Sequence, residues 1–279
     1  MRKKPLVAIL GCGPSGLLAA HACAFRDVPF VIFSQMRKSP IGGAQFSHIP
    51  IPGIHEYDDP DAKLTYRVTG DGETYHEKVY GKLPVPFVSF DKVTDGQVVG
   101  AWNLRHMYDK LWEMYSGKIV NVEIDPRLAG GFTTGFDLVV SSVPLKAICT
   151  TTLYDHPQQG PMHWFRDQVV RIYNEAIDPN LPDNTIWYNG EEVNSWYRMS
   201  LIFGTGSTEW GMHGRVPPLP GLVTVNKPIE TNCDCYTEDL SAGVPSIVRV
   251  GRYGTWSKGI LSFHGYNETV DILTRMGVE

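Results

Sequence analysis

No apolar run in this chain approaches the roughly 18–20 residues that a membrane-crossing helix needs, and no block of like charges marks a solvated tail. These absences predict a soluble protein of the cytoplasm with no membrane partner. Cysteine is scarce and odd in number: Cys12, Cys23, Cys149, Cys233 and Cys235. Reduced thiols are expected rather than a disulfide framework. Cys233 and Cys235 have C-x-C spacing without a second pair, so no metal site is predicted. Internal repeats, low-complexity tracts, a P-loop and the Ser/His/Asp or Cys/His signatures of nucleophilic catalysis are also missing. Nor is basic charge in excess, because a formal net charge of -5 over 279 residues gives no global footprint of nucleic-acid binding. A local patch stays open, since Arg2, Lys3, Lys4, Arg37 and Lys38 can cluster in space. The 42% of hydrophobic residues suffices for one or two globular domains; the oligomeric state does not follow.

What is present is concentrated at the start. Pro5 to Leu10 is a strand-like apolar run that flows into Gly11-Cys12-Gly13-Pro14-Ser15-Gly16, then into a helix-forming stretch from Leu17 to Phe25 and a second strand from Val28 to Phe33. This is GxGxxG in strand–turn–helix context. Gly11 takes the tight turn, Gly13 leaves the backbone open to a pyrophosphate, and Gly16 lets helix and strand pack closely, with the diphosphate at the positive end of the helix. Arg2, Lys3 and Lys4 ahead of an apolar stretch also fit a signal peptide, but Gly11 to Gly16 interrupt that stretch and no convincing cleavage site follows. The segment reads as mature protein.

Further along, Phe46 to Asp61 is a Pro/His/Gly-rich loop, and residues 64–90 alternate Tyr, Val and Thr with Gly turns, which predicts short strands. Trp102 to Tyr115 puts Leu104, Met107, Tyr108, Leu111 and Tyr115 on one helical face, ending at Gly117. Strands are predicted at Lys118–Ile124 and Phe136–Val143 around a hairpin-like RLAGGFTTG. Others are predicted at Thr185–Tyr188, Ser195–Phe203 and Ile247–Val250, with Asn267 capping a terminal helix over Glu268–Met276. The predicted fold is α/β, a discontinuous dinucleotide-binding domain (1–50, 96–150 and 240–279) with an inserted β-rich substrate region (51–95 and 151–239).

Three separated pieces carry a family resemblance: VAILGCGPSGLLAA with the downstream Ile41-Gly42-Gly43, FDLVVSSVPL at 136–145, and VGRYGTWSKGILSFHGYNETVDIL at 250–273. The chain resembles two-dinucleotide-binding-domain flavoproteins, the amine oxidase and UDP-galactopyranose mutase-like group, over about a third of its length. The resemblance implies a Rossmann-like FAD-binding domain in which the first piece holds the FAD diphosphate and adenosine and the last runs past the isoalloxazine. It assigns Gly11, Gly13, Pro14, Ser15, Gly16, Ser34, Gln35, Gly42, Gly43, Val122, Gly251, Arg252 and Gly259 to the cofactor. One departure is Ser34, which stands where the family carries a ribose-binding acid. A hydroxyl beside Arg37 and Lys38 also suits a ribose 2'-phosphate, so an NADPH-binding reductase stays admissible. The mutase-type paired arginines have no clear counterpart beyond Arg198 and Arg252. The build is similar, too, to small flavoprotein oxidases of phage DNA-hypermodification pathways, which oxidise a glycyl amine on a thymine methyl group and would work in the host cytoplasm.

A flavin asks the protein for positioning and electrostatics rather than a nucleophile. His48, His55 and Tyr57 lie on the irregular segment after Gly43, and a histidine exchanges protons near neutral pH. Lys258, His264, Trp256 and Tyr266 fall on the C-terminal flavin segment, Trp256 as a base-stacking or core residue. The helix expected after Tyr266 would point its positive end at the flavin pyrimidine. Tyr197 and Arg198 sit on a predicted strand, where the guanidinium can grip a carboxylate or pair with Glu191 or Glu192. The expected catalytic residues are His48, His55, Lys258 and His264, and the expected substrate contacts are Tyr57, Tyr197, Arg198, Trp256 and Tyr266. The expected activity is hydride removal from a C–N bond of a small-molecule amine or a modified DNA base, with molecular oxygen as acceptor. A mutase-like enzyme and a non-catalytic nucleotide-binding protein are the alternatives.

Overall fold

Val7–Leu10 forms strand β1, and all four residues are shut off from solvent. A run that is apolar at every position suits a parallel strand covered on both faces. Helix α1 (Pro14–Phe25) and strand β2 (Phe30–Ser34) follow in the order expected from the sequence. The structure is a computed structural model that describes residues 4–36, 38, 45–56, 59–83, 85, 93–132, 134–149, 163–235 and 247–279. The chain continues through β3 (Phe46–Ser47), β4 (Ala62–Gly70), α2 (Gly72–Tyr80), β5 (Val98–Asn103), α3 (Leu104–Tyr115), β6 (Ile119–Asn121), α4 (Pro126–Phe132), β7 (Leu138–Ser141) and α5 (Leu145–Ile148). Strands β8 (Phe165–Tyr173), β9 (Thr185–Gly190), β10 (Arg198–Ile202), β11 (Thr205–Gly211), β12 (Val223–Thr231) and β13 (Ile247–Arg249) and helices α6 (Gly251–Thr255) and α7 (His264–Arg275) complete it.

Two units divide the chain. The first comprises Met1–Ser39, Tyr108–Arg166 and Pro228–Glu279, the second Pro40–Met107 and Asp167–Lys227. Residues 96–107 thus fall with the second unit, because β5 pairs with β4 through Ala62↔Ala101 to Thr65↔Val98. In the first unit five parallel strands run in the order β13-β7-β1-β2-β6. β2 lies on one side of β1 and β7 on the other, so the strand order reverses at β1, which is where open α/β sheets bind ligands. Helix α1 is buried on nearly every side from Gly16 to Cys23, and its alanines let α7 approach closely. Tyr266, Thr269, Ile272 and Leu273 form the buried stripe of α7.

The second unit is β-rich, as expected, with a sheet in the order β12-β8-β11-β10-β9-β4-β5-β3. β4 and β9 are parallel neighbours, while β9, β10 and β11 run antiparallel. Alternating burial along β8 is the period-two signature of a sheet with one covered face.

Several local expectations are corrected. Residues 72–80 form a helix, not strands: the Asp71 carboxylate accepts the Thr74 N–H at 2.8 Å as an N-cap, and Tyr75, Val79 and Tyr80 are buried at helical spacing. Where the RLAGGFTTG hairpin is expected, residues 127–132 lie instead in helix α4, started by Asp125, which accepts the Leu128 N–H at 2.7 Å, and by Pro126 in the first turn. Strand β5 precedes α3, which begins at Leu104 rather than Trp102. Helix α7 begins at His264, so Asn267 lies inside it and is not its cap. Cys233 and Cys235 do not stand alone, since the fold brings Cys149 and His163 to them. No helix among the described residues is long and apolar enough to cross a membrane.

Candidate active site

The three glycines of the turn answer to different neighbours. Gly11 has φ +97°, and a Cβ there would meet the Ser142 Oγ at 2.6 Å. At Gly16 a Cβ would lie 2.0 Å from the Gly11 carbonyl oxygen. Both positions require glycine for the chain's own packing. Gly13 has an ordinary φ of -69°, and a Cβ there would meet nothing within 4 Å among the described residues. The chain therefore leaves open space at Gly13, at the end of α1 that carries unsatisfied N–H groups. Gly13 as the N-cap offers no side chain to close that end, no acidic residue stands in the first turn, and Pro14 occupies the first position without an N–H to satisfy. An anion fits there: the dipole favours it and the Ser15 and Gly16 N–H groups lie in the first turn.

Beside the turn, the C-terminal ends of β1, β2 and β6 come together. The Val122 N–H donates to the Ser34 carbonyl at 3.0 Å, the Cys12 thiol to the Gln35 carbonyl at 3.6 Å, and the Met36 N–H to Asn121 Oδ1 at 3.0 Å. Ser34, Gln35 and Val122 are half-buried at this edge, the one expected to hold the adenosine end of the cofactor. Tyr108 on α3 donates its hydroxyl to the Cys12 carbonyl at 3.0 Å. Lys38 is ion-paired with Asp109 and lies 5.9 Å from the Tyr108 ring centre, so a carboxylate already competes for it. Arg37, Gly42, Gly43 and Tyr57 lie outside the described residues.

The third piece of the resemblance is built against the turn. A Cβ at Gly251 (φ +70°) would lie 2.2 Å from the Ser15 Oγ, and one at Gly265 would lie 2.5 Å from the Ser15 carbonyl oxygen. Ser15 is thus held between two glycines of the C-terminal segment. Other residues of that segment differ from expectation. Tyr266 is buried on α7, 5.9 Å from the His21 ring and 6.5 Å from the Phe25 ring, so it is a helix–helix contact rather than a substrate contact. Trp256 is core: it packs on Phe165 and donates its indole N–H to the Arg166 carbonyl at 3.2 Å. Arg252 spends its Nε and Nη2 on the Pro228 carbonyl, at 3.0 and 2.9 Å, and so ties α6 to β12. His264 turns its Nδ1 back to the Leu261 N–H at 2.8 Å, a contact at the start of α7. Lys258 and Gly259 are exposed, Gly259 with φ +86°.

Glu268, one turn into α7, belongs to none of the expected site residues. Burial, and after it the nearby Asp271 charge, raise its carboxyl pKa to about 7. Its Oε2 is buried with no hydrogen-bond partner among the described residues. The only sequence signal is an acid on the same face as Asp271.

In the second unit, His55 and His48 take separate roles. The His55 Nδ1 accepts the Ile51 N–H at 3.0 Å, closing a turn against Trp102. His48 rests on Phe46, with ring centres 4.4 Å apart; its surface is exposed, yet desolvation by the surrounding chain lowers its pKa. A neutral His48 can therefore accept a proton at pH 7.

Tyr197 and Arg198 belong to a buried cluster that joins β10, β11 and β12. The Arg198 partner is Glu209, directly across the β10–β11 ladder, and neither Glu191 nor Glu192. Glu209 also takes the Lys227 ammonium at 2.8 Å and the Tyr197 hydroxyl at 2.6 Å on its other oxygen. Burial alone would push the Glu209 carboxyl up; Arg198, then Lys227, reverse this and hold it well below the usual range. Burial opposes the Arg198 charge in turn, and Glu209 with the surrounding tyrosines overcomes it and raises the pKa. Two cations face one carboxylate, leaving a net positive charge. Arg198 Nε has no hydrogen-bond partner among the described residues. Tyr75 packs edge-on against both Tyr188 and Tyr197, 6.0 Å from each.

No protein-family model and no curated protein matches this chain. Solved structures do match. A reduced UDP-galactopyranose mutase aligns over 99% of this chain and 96% of its own, with 13% identity and a TM-score of 0.54. A point mutant of 2-methyl-3-hydroxypyridine-5-carboxylic acid oxygenase aligns over 98% and 83%, with 13% identity and a TM-score of 0.52. The flavin-dependent halogenase BrvH from Brevundimonas sp. BAL3 aligns over 98% and 72%, with 12% identity and a TM-score of 0.51. The chain has the mixed α/β, Rossmann-like fold of these flavoenzymes.

Proposed function

We propose that this chain is an FAD-dependent oxidoreductase acting on the C–N bond of a substituted amine that bears an anionic group. The observation that carries the reading is the Gly13 position at the N-terminus of α1, which is open among the described residues, where the strand order reverses. Gly11 and Gly16 are glycine for internal reasons; Gly13 is explained by a ligand that needs the space. When bound, FAD supplies a two-electron acceptor. Ser15 and Gly16 would hold its diphosphate through backbone N–H groups, and Ser34, Gln35 and Val122 its adenosine end. The Ser34 hydroxyl takes the place of a ribose-binding acid.

The chain's own contribution to the reaction is binding and proton handling. The net positive Arg198–Glu209–Lys227 cluster supports recognition of a carboxylate, and its tyrosines support an aromatic substrate part. His48, neutral near pH 7, is the histidine suited to take a proton from a substrate ammonium before the C–N bond is oxidised. The most specific substrate in this class is a glycyl-modified thymine in DNA. Loss of hydride from the glycyl carbon gives an imine, water hydrolyses it to an aminomethyl base and glyoxylate, and oxygen is reduced to peroxide. A UDP-galactopyranose mutase-like activity is the second reading, favoured by an alignment over nearly the full length of both chains. Incubation with glycyl-modified DNA, free amino acids and UDP-galactofuranose separates them. Peroxide with the first supports the specific reading, and peroxide only with amino acids makes the enzyme a general amine oxidase. Ring interconversion without peroxide makes it a mutase; a colourless protein that takes up NADPH and no FAD overturns the flavin reading.

A further inference from the structure

Three of the five cysteines, the C-x-C pair Cys233 and Cys235 and the distant Cys149, converge on one histidine in the first unit. Cys149 follows the last turn of α5, His163 precedes β8, and Cys233 and Cys235 follow β12. Their ligand atoms all lie within 4.8 Å of one another. The Cys149 sulfur is 3.5 Å from the Cys233 sulfur, 3.8 Å from the Cys235 sulfur and 3.2 Å from His163 Nδ1, and the Cys235 sulfur is 3.5 Å from the same nitrogen. We propose that Cys149, His163, Cys233 and Cys235 form a tetrahedral site for a structural zinc ion.

Bond lengths make the first argument. A tetrahedral zinc with bonds of about 2.3 Å to sulfur and about 2.0 Å to nitrogen separates its ligands by about 3.8 Å for two sulfurs and about 3.6 Å for sulfur and nitrogen. Four of the six separations, Cys149 to each of the other three ligands and Cys235 to His163, match this spacing to within a few tenths of an ångström, and the two that involve Cys233 with Cys235 and His163 lie within 4.8 Å. None of the five cysteines is in a disulfide, and the sulfur separations are far from the bonded distance of about 2.05 Å.

The surroundings make the second. His163 Nε2 lies 3.2 Å from Asp234 Oδ1, so the carboxylate fixes the ring with Nδ1 turned toward the three sulfurs. This carboxylate–histidine relay is what orients an imidazole ligand and raises its basicity. The Cys235 backbone N–H donates to the Cys233 sulfur, so the two ends of the C-x-C segment are held together. Arg249 donates to the Cys233 carbonyl at 3.0 Å and brings a cation to a site that is net negative once three thiolates surround a divalent ion. The Thr231 hydroxyl accepts the Cys233 N–H at 3.0 Å and Asn232 accepts the Trp164 N–H at 2.7 Å, so ligand-bearing segments are clamped together.

Four protein ligands leave no position open for substrate, and three thiolates with one imidazole select zinc over hard cations. The step is redox-neutral: zinc displaces three thiol protons to solvent as four coordinate bonds form. Cys149 and Cys233 also belong to the core with Ala8, Leu10 and Ile247, so the ion ties the β12 end to the parallel sheet.

Metal analysis of the full chain, purified without chelator, tests this independently of the flavin reading. The expected result is one zinc per chain and, after exchange, the visible absorption of tetrahedral thiolate-bound cobalt. Cys235→Ser and His163→Ala should lose the metal, Cys23→Ala should keep it, and Asp234→Asn, which retains all four ligands, should weaken zinc binding by about 10–100-fold. Should a ligand variant fail to fold, the wild-type metal content, its cobalt spectrum and the Asp234→Asn affinity still decide. Wild-type chain without stoichiometric zinc or a tetrahedral cobalt spectrum overturns the proposal, as does a disulfide among these cysteines or full zinc retention in the ligand variants.

Discussion

At the N-terminus of α1 the N-cap is Gly13, which offers the first-turn N–H groups no side chain, whereas around Glu209 each carboxylate oxygen has a cationic partner. The first arrangement leaves its capacity for an anion unspent and gains nothing until one binds. The second largely satisfies itself: burying Arg198, Lys227 and Glu209 is tolerable because they pair, and only the surplus positive charge is left for a ligand. A site built from backbone can thus be removed without unfolding the chain, while a site built from buried charges cannot.

The largest expected effect breaks the charged half of that comparison. Glu209→Gln leaves Arg198 and Lys227 facing each other in a buried place and should destabilise the protein by about 3 kcal/mol in urea unfolding. A loss under about 1 kcal/mol would mean that solvent, not Glu209, balances the two cations.

Next comes a contrast within the turn. Gly16→Ala drives a methyl group into the Gly11 carbonyl and should cost about 1–3 kcal/mol of stability. Gly13→Ala meets open space and should cost less than about 1 kcal/mol, the loss of a favourable N-cap residue. Equal melting temperatures for the two variants would contradict the division between internal and external glycines.

A smaller effect concerns Glu268. Its pKa stands above the ordinary carboxylate value of 4.5, at about 7, so the folded chain binds more protons than the unfolded one between those values. Stability should therefore fall as pH rises through that window, and Glu268→Gln should abolish that part of the fall. The variant should melt higher than wild type at pH 8 and alike at pH 4; the opposite order would place the carboxylate in a site that welcomes its charge.

The local parts of this architecture are legible in sequence where one segment carries its own explanation. Val7–Leu10, the three glycines and the apolar face of α3 announce themselves because period, turn chemistry and context agree. Helices α2 and α4 escape such a reading because Asp71-Gly72 and Asp125-Pro126 serve turns and helix starts alike, and only the buried spacing beyond them decides. Tyr266, Trp256 and Arg252 lie on the segment the resemblance singles out, but packing turns them to α1, Phe165 and Pro228. Contacts between distant residues, such as Glu209 on Arg198 or Cys149 beside Cys233, leave no periodic trace in sequence. They appear only once β10, β11, α5 and β12 are placed.

The most direct test of the central claim is a titration of purified chain with FAD, followed by flavin absorbance and fluorescence, for wild type and Gly13→Glu side by side with their melting curves. The added carboxylate should occupy the open space at the helix terminus and repel the diphosphate. Wild type should saturate at one FAD per chain, while Gly13→Glu should melt near the wild-type temperature and bind no flavin. A wild-type chain that takes up no FAD, or a folded Gly13→Glu variant that binds it with undiminished affinity, would contradict the account.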